Sequence, residues 1–175
     1  MTADAGAVER VFFALWPDDL VRRRLGVWAR AAHARCGGRL MRERNIHLTI
    51  AFLGDTDAAR MDALAGAVAD VAPRRFTLTI DRTAYWKHNR IVWAGTDQVP
   101  PALEALVGDL RGALDAAGFR YDAKPFVPHV TLVRNARHAP LPPLDAVDWR
   151  VAAFVLVRSV QGERGSDYEV VAEWS

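Results

Sequence analysis

The chain is short of the features that most readily declare a function. Among its 175 residues there is one cysteine, Cys36, so no intrachain disulfide can form and no cysteine cage for a metal exists. No apolar run approaches the length of a membrane span, so no membrane partner is expected. Met1 to Arg10 carries neither a basic n-region nor a long apolar stretch, so no signal peptide is expected and the cytoplasm is the default location. A large charge of one sign is missing too. The formal net charge of +2 is too mild for a long nucleic-acid track, although it leaves room for a locally basic pocket that takes one phosphate. There is no Gly-x-x-x-x-Gly-Lys-Ser/Thr loop to indicate ATP use, and no Gly-x-Ser-x-Gly elbow for a serine nucleophile.

What is present is ordinary in bulk. Hydrophobic residues make up 51% and charged residues 25%, the balance of a soluble globular protein, and the length suits one domain over residues 1–175. The specific feature is a short pattern that occurs twice, His47-Leu48-Thr49-Ile50 and His129-Val130-Thr131-Leu132. Each copy lies in an apolar, β-prone run. Strand side chains alternate faces, so His and Thr two apart point the same way while Leu48 or Val130 anchors the strand behind them. A single His-x-Thr on a strand is most simply a satisfied structural histidine beside a β-prone threonine. Two copies in matched surroundings offer two titratable bases and two hydroxyls to one cleft, which is enough for acid–base chemistry on a phosphate. His33, His88 and His138 lack that support and read as solvated groups. Two histidines can ligate zinc, but a catalytic zinc usually takes a third protein ligand. No His-Glu-x-x-His, cysteine pair or carboxylate partner accompanies the motifs, so the expected site uses no metal and no cofactor.

Taken in order, residues 1–9 read as a loose tail and Val11 to Trp16 as a buried strand ended by Pro17. Pro17-Asp18-Asp19 opens a helix with Val21, Leu25, Trp28 and Ala32 on one face, stopped by Gly37-Gly38. A polar connector, Arg42 to Asn45, leads to the first motif strand, Ile46 to Leu53, closed by Gly54-Asp55. Thr56 or Asp57 caps a second helix with Met61, Leu64, Val68 and Val71 inward. Phe76 to Ile80 alternates as a half-buried strand, Tyr85 to Asn89 forms a turn, and Arg90 to Ala94 returns as a hairpin. Pro100-Pro101 opens a third helix ended by Gly118. Phe126 to Val133 is the second motif strand, residues 135–149 a loop, Val151 to Val160 a strand, and Tyr168 to Trp174 a final strand after a turn at 162–165.

A repeat emerges from that pass. Arg10-Val11-Phe12-Phe13-Ala14 and Arg90-Ile91-Val92-Trp93-Ala94 share the form Arg, three apolar residues, Ala, and recur at an offset of 80, while the histidines recur at 82. Each is followed by a proline-opened helix, a polar connector and a motif strand. Duplicated β-α-β units related by a pseudo-twofold would place both motifs about one cleft.

In this setting the paired motifs resemble the two-histidine phosphoesterase superfamily, and within it the bacterial and archaeal RNA 2′,3′-cyclic phosphodiesterases, long called 2′-5′ RNA ligases. The resemblance covers nearly the whole chain. Its firmest parts are Arg10 to Leu15, Asn45 to Gly54, Pro125 to Arg134, the hairpin strands at Phe76 and Arg90, and the C-terminal pair marked by Ser159, Tyr168 and Trp174. It implies an α+β, bilobal fold in which antiparallel sheets flank a central cleft with the helices outside. It implies hydrolysis of a 2′,3′-cyclic phosphate on RNA ends, or on small cyclic nucleotides, to a 2′-phosphomonoester without a metal. It also assigns His47 as proton donor and His129 as proton acceptor. Thr49 and Thr131 would hydrogen-bond the non-bridging phosphate oxygens, and Arg134 would add positive charge there.

Imidazoles titrate near pH 6.5, so small shifts can hold one neutral and one protonated. Arg134 lies three residues beyond Thr131, and needs a bend or its full reach to join the site; otherwise it is a surface arginine beyond a strand end. Phe13, Tyr85 and Trp86 are possible base-stacking residues, with a core role for Phe13 and a hairpin-surface role for the other two the simpler readings. A monomer is expected. The rival activities are 2′-5′ RNA ligation of tRNA halves on the same site, and a non-catalytic RNA-end or nucleotide-phosphate binding module.

Overall fold

The apolar run near the start of the chain forms the spine of the first sheet. In the computed structural model, which describes residues 6–175, strand β1 (Val8–Leu15) is buried from Val11 onward. Fully burying a side chain such as Phe13 is worth about 1.5–3 kcal/mol over leaving it exposed. The strand begins three residues earlier than the apolar run, because Val8, Glu9 and Arg10 still pair with Asp57, Thr56 and Asp55. The expected tail is correspondingly shorter, and residues 1–5 lie outside the described residues.

Asp18 caps helix α1 (Asp19–Cys36) by accepting from the Val21 N–H at 2.9 Å, and Val21, Leu25, Trp28 and Ala32 are buried as their spacing predicts. Gly37, at φ +62°, closes the helix in a conformation that glycine adopts without a Cβ clash. A two-residue strand, β2 (Arg39–Leu40), and a 3-10 turn at Glu43–Asn45 then occupy what the sequence shows only as a polar connector.

The first motif strand, β3 (Leu48–Asp57), runs through Gly54-Asp55 instead of stopping there. Gly54 adopts φ +75° where the pairing with β1 slips by one residue, a bulge that keeps the strand going. Asp57 caps the turn Ala58–Arg60, which leads into helix α2 (Met61–Ala67).

Strand β4 (Phe76–Ile80) does not pair with the strand after the turn. A separate strand, β5 (Arg82–Trp86), makes that hairpin with β6 (Ile91–Gly95), so Tyr85 and Trp86 belong to a strand and not to its turn. The alternation at Phe76–Ile80 is real, but its partner is β8 (Val147–Val151), over 65 residues away and hidden in the expected loop. Helix α3 (Pro101–Ala116) buries Leu103, Leu106, Leu110 and Leu114. Strand β7 (His129–Arg134) starts at the histidine, because Pro125 and Pro128 lack the N–H that an earlier start would use. The expected strand at 151–160 is broken at Ala152-Ala153, and β9 (Phe154–Gly162) turns into β10 (Gly165–Trp174).

Two four-stranded antiparallel sheets result, in the orders β10-β9-β1-β3 and β2-β7-β6-β5, beside the two-stranded β4-β8. The helices cross over between them. Helix α1 follows β1 of the first sheet yet packs on β7 of the second, while α3 follows β6 of the second and packs on β3 of the first. One apolar core therefore runs behind both sheets, from Val11 and Phe13 through Leu103 and Leu110 to Val130 and Leu132. The open face of the first sheet carries a smaller cluster of Phe12, Ala14, Val155 and Val157.

The pseudo-twofold is visible in the pairing. Phe13 faces Ala51 and Ala14 faces Thr49, so Ile50 is an extra residue; Val92 faces Val133 and Trp93 faces Thr131, so Leu132 is an extra residue. The same bulge thus recurs at the last position of both motifs. It also shifts the alignment of the opening strands by one, matching Ala14 with Trp93 and not with Ala94. A one-residue slip exchanges the faces of a strand, and only the shifted alignment pairs core Phe13 with core Val92.

Gly95 lies opposite His129 in the β6–β7 ladder. A Cβ there would come within 2.8 Å of the Pro128 carbonyl oxygen and 2.7 Å of the Trp93 ring. Gly95→Ala is therefore expected to lower stability by about 1–3 kcal/mol, since backbone must move. Denaturant midpoints compared with those of Gly112→Ala, where nothing lies within 4 Å, measure the effect.

Candidate active site

Each motif histidine is held by its own backbone. His47 Nδ1 lies 2.7 Å from the carbonyl oxygen of Asn45, and His129 Nδ1 lies 2.8 Å from that of Val127. A carbonyl only accepts, so Nδ1 carries the hydrogen in both rings and Nε2 is left as the basic nitrogen. Thr49 Oγ1, 3.0 Å from His47 Nε2, donates to it when that ring is neutral. The acceptor carbonyl precedes the histidine by two residues in both halves, so the two rings are oriented by one repeated device.

The strand pleat and the shared bulge select what else faces the cleft. Thr131 lies on the His129 side of β7 and is half-buried. Leu132 and Val133 both turn into the core, where each is fully buried, so Arg134 returns to the side of Thr131. The bulge is thus the bend that a spacing of three requires. In the first half Ile50 and Ala51 go into the core in the same way, and Phe52 stands where Arg134 stands in the second. The two halves therefore differ in one charge at this position.

Aromatic rings wall both imidazoles. Phe12 stacks on His47 at 4.8 Å, Trp16 stacks at 5.8 Å, and Tyr168 meets it edge-on at 5.1 Å. Trp86 meets His129 edge-on at 4.6 Å, with Trp93 at 6.2 Å. Of the three residues considered for base stacking, Phe13 is in the core against Phe154 and Trp174, as its simpler reading has it. Tyr85 donates its hydroxyl hydrogen to Ala136 O at 3.1 Å, with its ring 5.4 Å from that of His138 and not against either motif histidine. Trp86 is not a surface ring of the hairpin: β5 carries it against His129.

Phe12, Trp16 and Tyr168 escape a reading of the sequence. For Phe12 a signal existed, since it alternates with core Phe13. For Tyr168 the resemblance marks only its strand, and no local pattern ties so distant a residue to His47. His33, His88 and His138 make none of these contacts with the two motif rings; His33 Nε2 instead approaches Gly38 O at 3.0 Å.

A strap of polar contacts fixes the His47 side. Asp167, on β10, accepts from Arg42 Nη1 at 2.6 Å and Arg44 Nη2 at 2.7 Å. The Arg44 and Arg42 hydrogen bonds outweigh desolvation and hold the Asp167 carboxyl below its usual range. Beside it, buried Asn45 donates Nδ2–H to Ser166 O at 2.9 Å. The β9–β10 turn is thereby tied to the segment whose carbonyl orients His47.

Burial sets the charge state. Desolvation pulls His47 down from 6.5 to about 4, against the opposing hydrogen bond to Asn45 O; the charges of Arg134, His129 and Arg22 add to the lowering. His129 is lowered as well, first by burial and then by Arg134, with its bond to Val127 O opposing. Arg134 thus acts on both rings and His129 on His47, so these three groups lie near enough to feel one another's charge. Among the described residues no group of three or more His, Cys, Asp or Glu side chains is placed to hold a metal ion. No described helix is long and apolar enough to cross a membrane.

A histidine whose pKa is lower when folded binds its proton more readily in the unfolded chain. Stability is therefore expected to fall as pH drops from about 6.5 toward about 4, the interval between the two His47 values. Denaturation midpoints measured across that range should show the loss, and His47→Asn should lessen it, leaving the share that His129 contributes.

Comparison with known proteins gives a consistent set of likenesses. The profile of the LigT like Phosphoesterase family matches residues 15–93 and 95–162. An RNA 2′,3′-cyclic phosphodiesterase of Escherichia coli (strain K12) is 31% identical over 95% of this chain and 96% of its own. One of Thermus thermophilus is 30% identical over 95% of this chain and 89% of its own. The crystal structure of E. coli LigT complexed with 3′-AMP superposes with a TM-score of 0.85 at 31% identity, covering 96% of this chain and 98% of that one.

Proposed function

The chain belongs to the LigT-like phosphoesterase family and hydrolyses RNA 2′,3′-cyclic phosphodiesters; we propose that His47 and His129 carry the reaction between them, without a metal, and that it leaves a 2′-phosphomonoester. The observation that supports this most directly is the matched pair of Nδ1-anchored imidazoles, which leaves Nε2 as the proton-exchanging nitrogen of each ring, that of His47 within reach of the Thr49 hydroxyl. His129 Nε2 takes a proton from the attacking water as the new P–O bond forms. The P–O3′ bond breaks, and His47 Nε2 delivers a proton to the departing 3′-oxygen. The product carries a 2′-phosphate and a free 3′-hydroxyl, and the two rings exchange protons with solvent before the next turn.

His47 must enter this cycle protonated, yet in the empty site its pKa is about 4. The substrate supplies the remedy: a phosphate anion beside the ring favours the imidazolium and raises its pKa. Protonated Nε2 also turns the Thr49 hydroxyl into an acceptor. Thr131, and Thr49 once its hydrogen is released, serve the non-bridging oxygens, and Arg134 adds charge where it develops. In this reading residues 1–175 act as one domain of two interleaved lobes, a single chain supplies both histidines, and the protein is a monomer. The lone buried thiol of Cys36 suits the reducing cytoplasm.

Replacing either His47 or His129 by Ala is expected to cut hydrolysis of an oligonucleotide with a 2′,3′-cyclic end by at least about a thousandfold in EDTA, with circular dichroism unchanged. Full activity in either variant contradicts the assignment. Thr49→Val and Thr131→Val are expected to cost less, about ten- to a hundredfold. Chromatography of the wild-type product distinguishes a 2′-phosphate from the 3′-phosphate that would reverse the leaving oxygen. Binding of adenosine 2′-phosphate should raise the His47 pKa above 4 in a histidine NMR titration.

A further inference from the structure

Beside the motif histidines lies a cavity of about 360 Å³. It adjoins His47, since Phe12 and Tyr168, which pack on that ring, line it, as does Arg134. The β2–β7 pair forms one side and the β9–β10 turn the other. Five arginines line it, Arg10, Arg39, Arg42, Arg134 and Arg164, and no carboxylate does. Arg10 meets Asp55 at 3.8 Å and Arg42 is held by Asp167, but Arg39, Arg134 and Arg164 have no ion-pair partner among the described residues. Arg39 pairs with Arg134 in the ladder, and its Nη1 lies 3.3 Å from where a Cβ on Gly165 would stand, so its guanidinium reaches across to the opposite turn. A protein with a net charge of only +2 has gathered this surplus in one cavity.

Clustered guanidinium groups without counter-charge favour phosphate, to which each can donate two parallel hydrogen bonds. One phosphate is already accounted for, between the histidines. A 2′,3′-cyclic phosphate exists only at the 3′ end of a chain, so anything further along the substrate lies on its 5′ side. We propose that this cavity is a second phosphate subsite, which binds the phosphate on the 5′ side of the terminal nucleoside and selects phosphorylated or polymeric ends over a bare nucleoside 2′,3′-cyclic phosphate. The proposal rests on the cyclic-end reading given above. Arg134 joins the two sites, while Arg39 and Arg164 belong to the second.

The test compares three substrates: adenosine 2′,3′-cyclic phosphate, the same nucleotide with a 5′-phosphate, and the dinucleotide ApA ending in a 2′,3′-cyclic phosphate. Wild-type kcat/KM should be at least about tenfold higher for one or both of the latter two, with the advantage shrinking as salt rises. Which of the two gains tells a terminal phosphomonoester from an internal diester. In Arg39→Ala/Arg164→Ala, whose side chains are exposed, that advantage should fall below about threefold; a thermal melt checks the fold. No wild-type preference, or an equal loss on all three substrates, overturns the subsite. Calorimetry with ApA 2′-phosphate and with adenosine 2′-phosphate keeps the two readings apart. If nothing is turned over but the dinucleotide binds more tightly through Arg39 and Arg164, the hydrolase reading fails and the subsite stands. If turnover is normal and the variant binds both equally well as wild type does, the subsite fails alone.

Discussion

Two hydrogen bonds from imidazole Nδ1 to the backbone carbonyl two residues earlier underlie everything else at this site. They commit one hydrogen of each ring to the chain itself, which sets the tautomer, aims Nε2 outward and removes most of the ring's rotational freedom. The acceptor carbonyls then need to be fixed in turn. On the His47 side the Arg42–Asp167–Arg44 contacts and the Asn45–Ser166 hydrogen bond hold the connector against the C-terminal hairpin. On the His129 side a glycine opposite the histidine lets the Pro128 backbone approach closely. One geometry is supported by two unrelated means, which is what divergence within a repeat looks like at atomic detail.

The same duplication shapes the packing. Because α1 lies on β7 and α3 on β3, each helix joins its own half to the other, and a single core runs behind both sheets. The halves cannot hinge freely about the cleft without disturbing that core. In front, the symmetry is incomplete where chemistry requires it: Phe52 and Arg134 occupy equivalent positions after the bulge, and Phe12 with Trp16 and Tyr168 faces one histidine while Trp86 and Trp93 face the other. These differences give nearly identical motifs unequal fields. Burial among these rings disfavours the charged form of both imidazoles in the empty cleft, and an anion beside them would oppose that shift.

Much of this could be read along the chain. Helix faces, caps and the glycines that end helices follow from local spacing, and Val21, Leu25, Leu103 and Leu110 are buried as it predicts. The errors share a cause. Local pattern pairs Phe76–Ile80 with the nearest later strand, but sheet pairing is a long-range choice and its partner is Val147–Val151. The one-residue misalignment of the opening strands arose because a bulge shifts pairing without leaving a residue-type mark in either motif.

The sequence by itself determined that two His-x-Thr strands recur in equivalent units, since a two-residue pleat puts His and Thr on one face whatever the strand later packs against. It also carried the family likeness that names the reaction. Only the tertiary structure decided which rings surround each histidine, how Arg134 regains the cleft, and that arginines far apart in the chain line one cavity. Periodicity is a local property that backbone geometry imposes residue by residue. Burial, the fields that shift a pKa and the gathering of charge depend on contacts between distant segments, which exist only once the chain has folded.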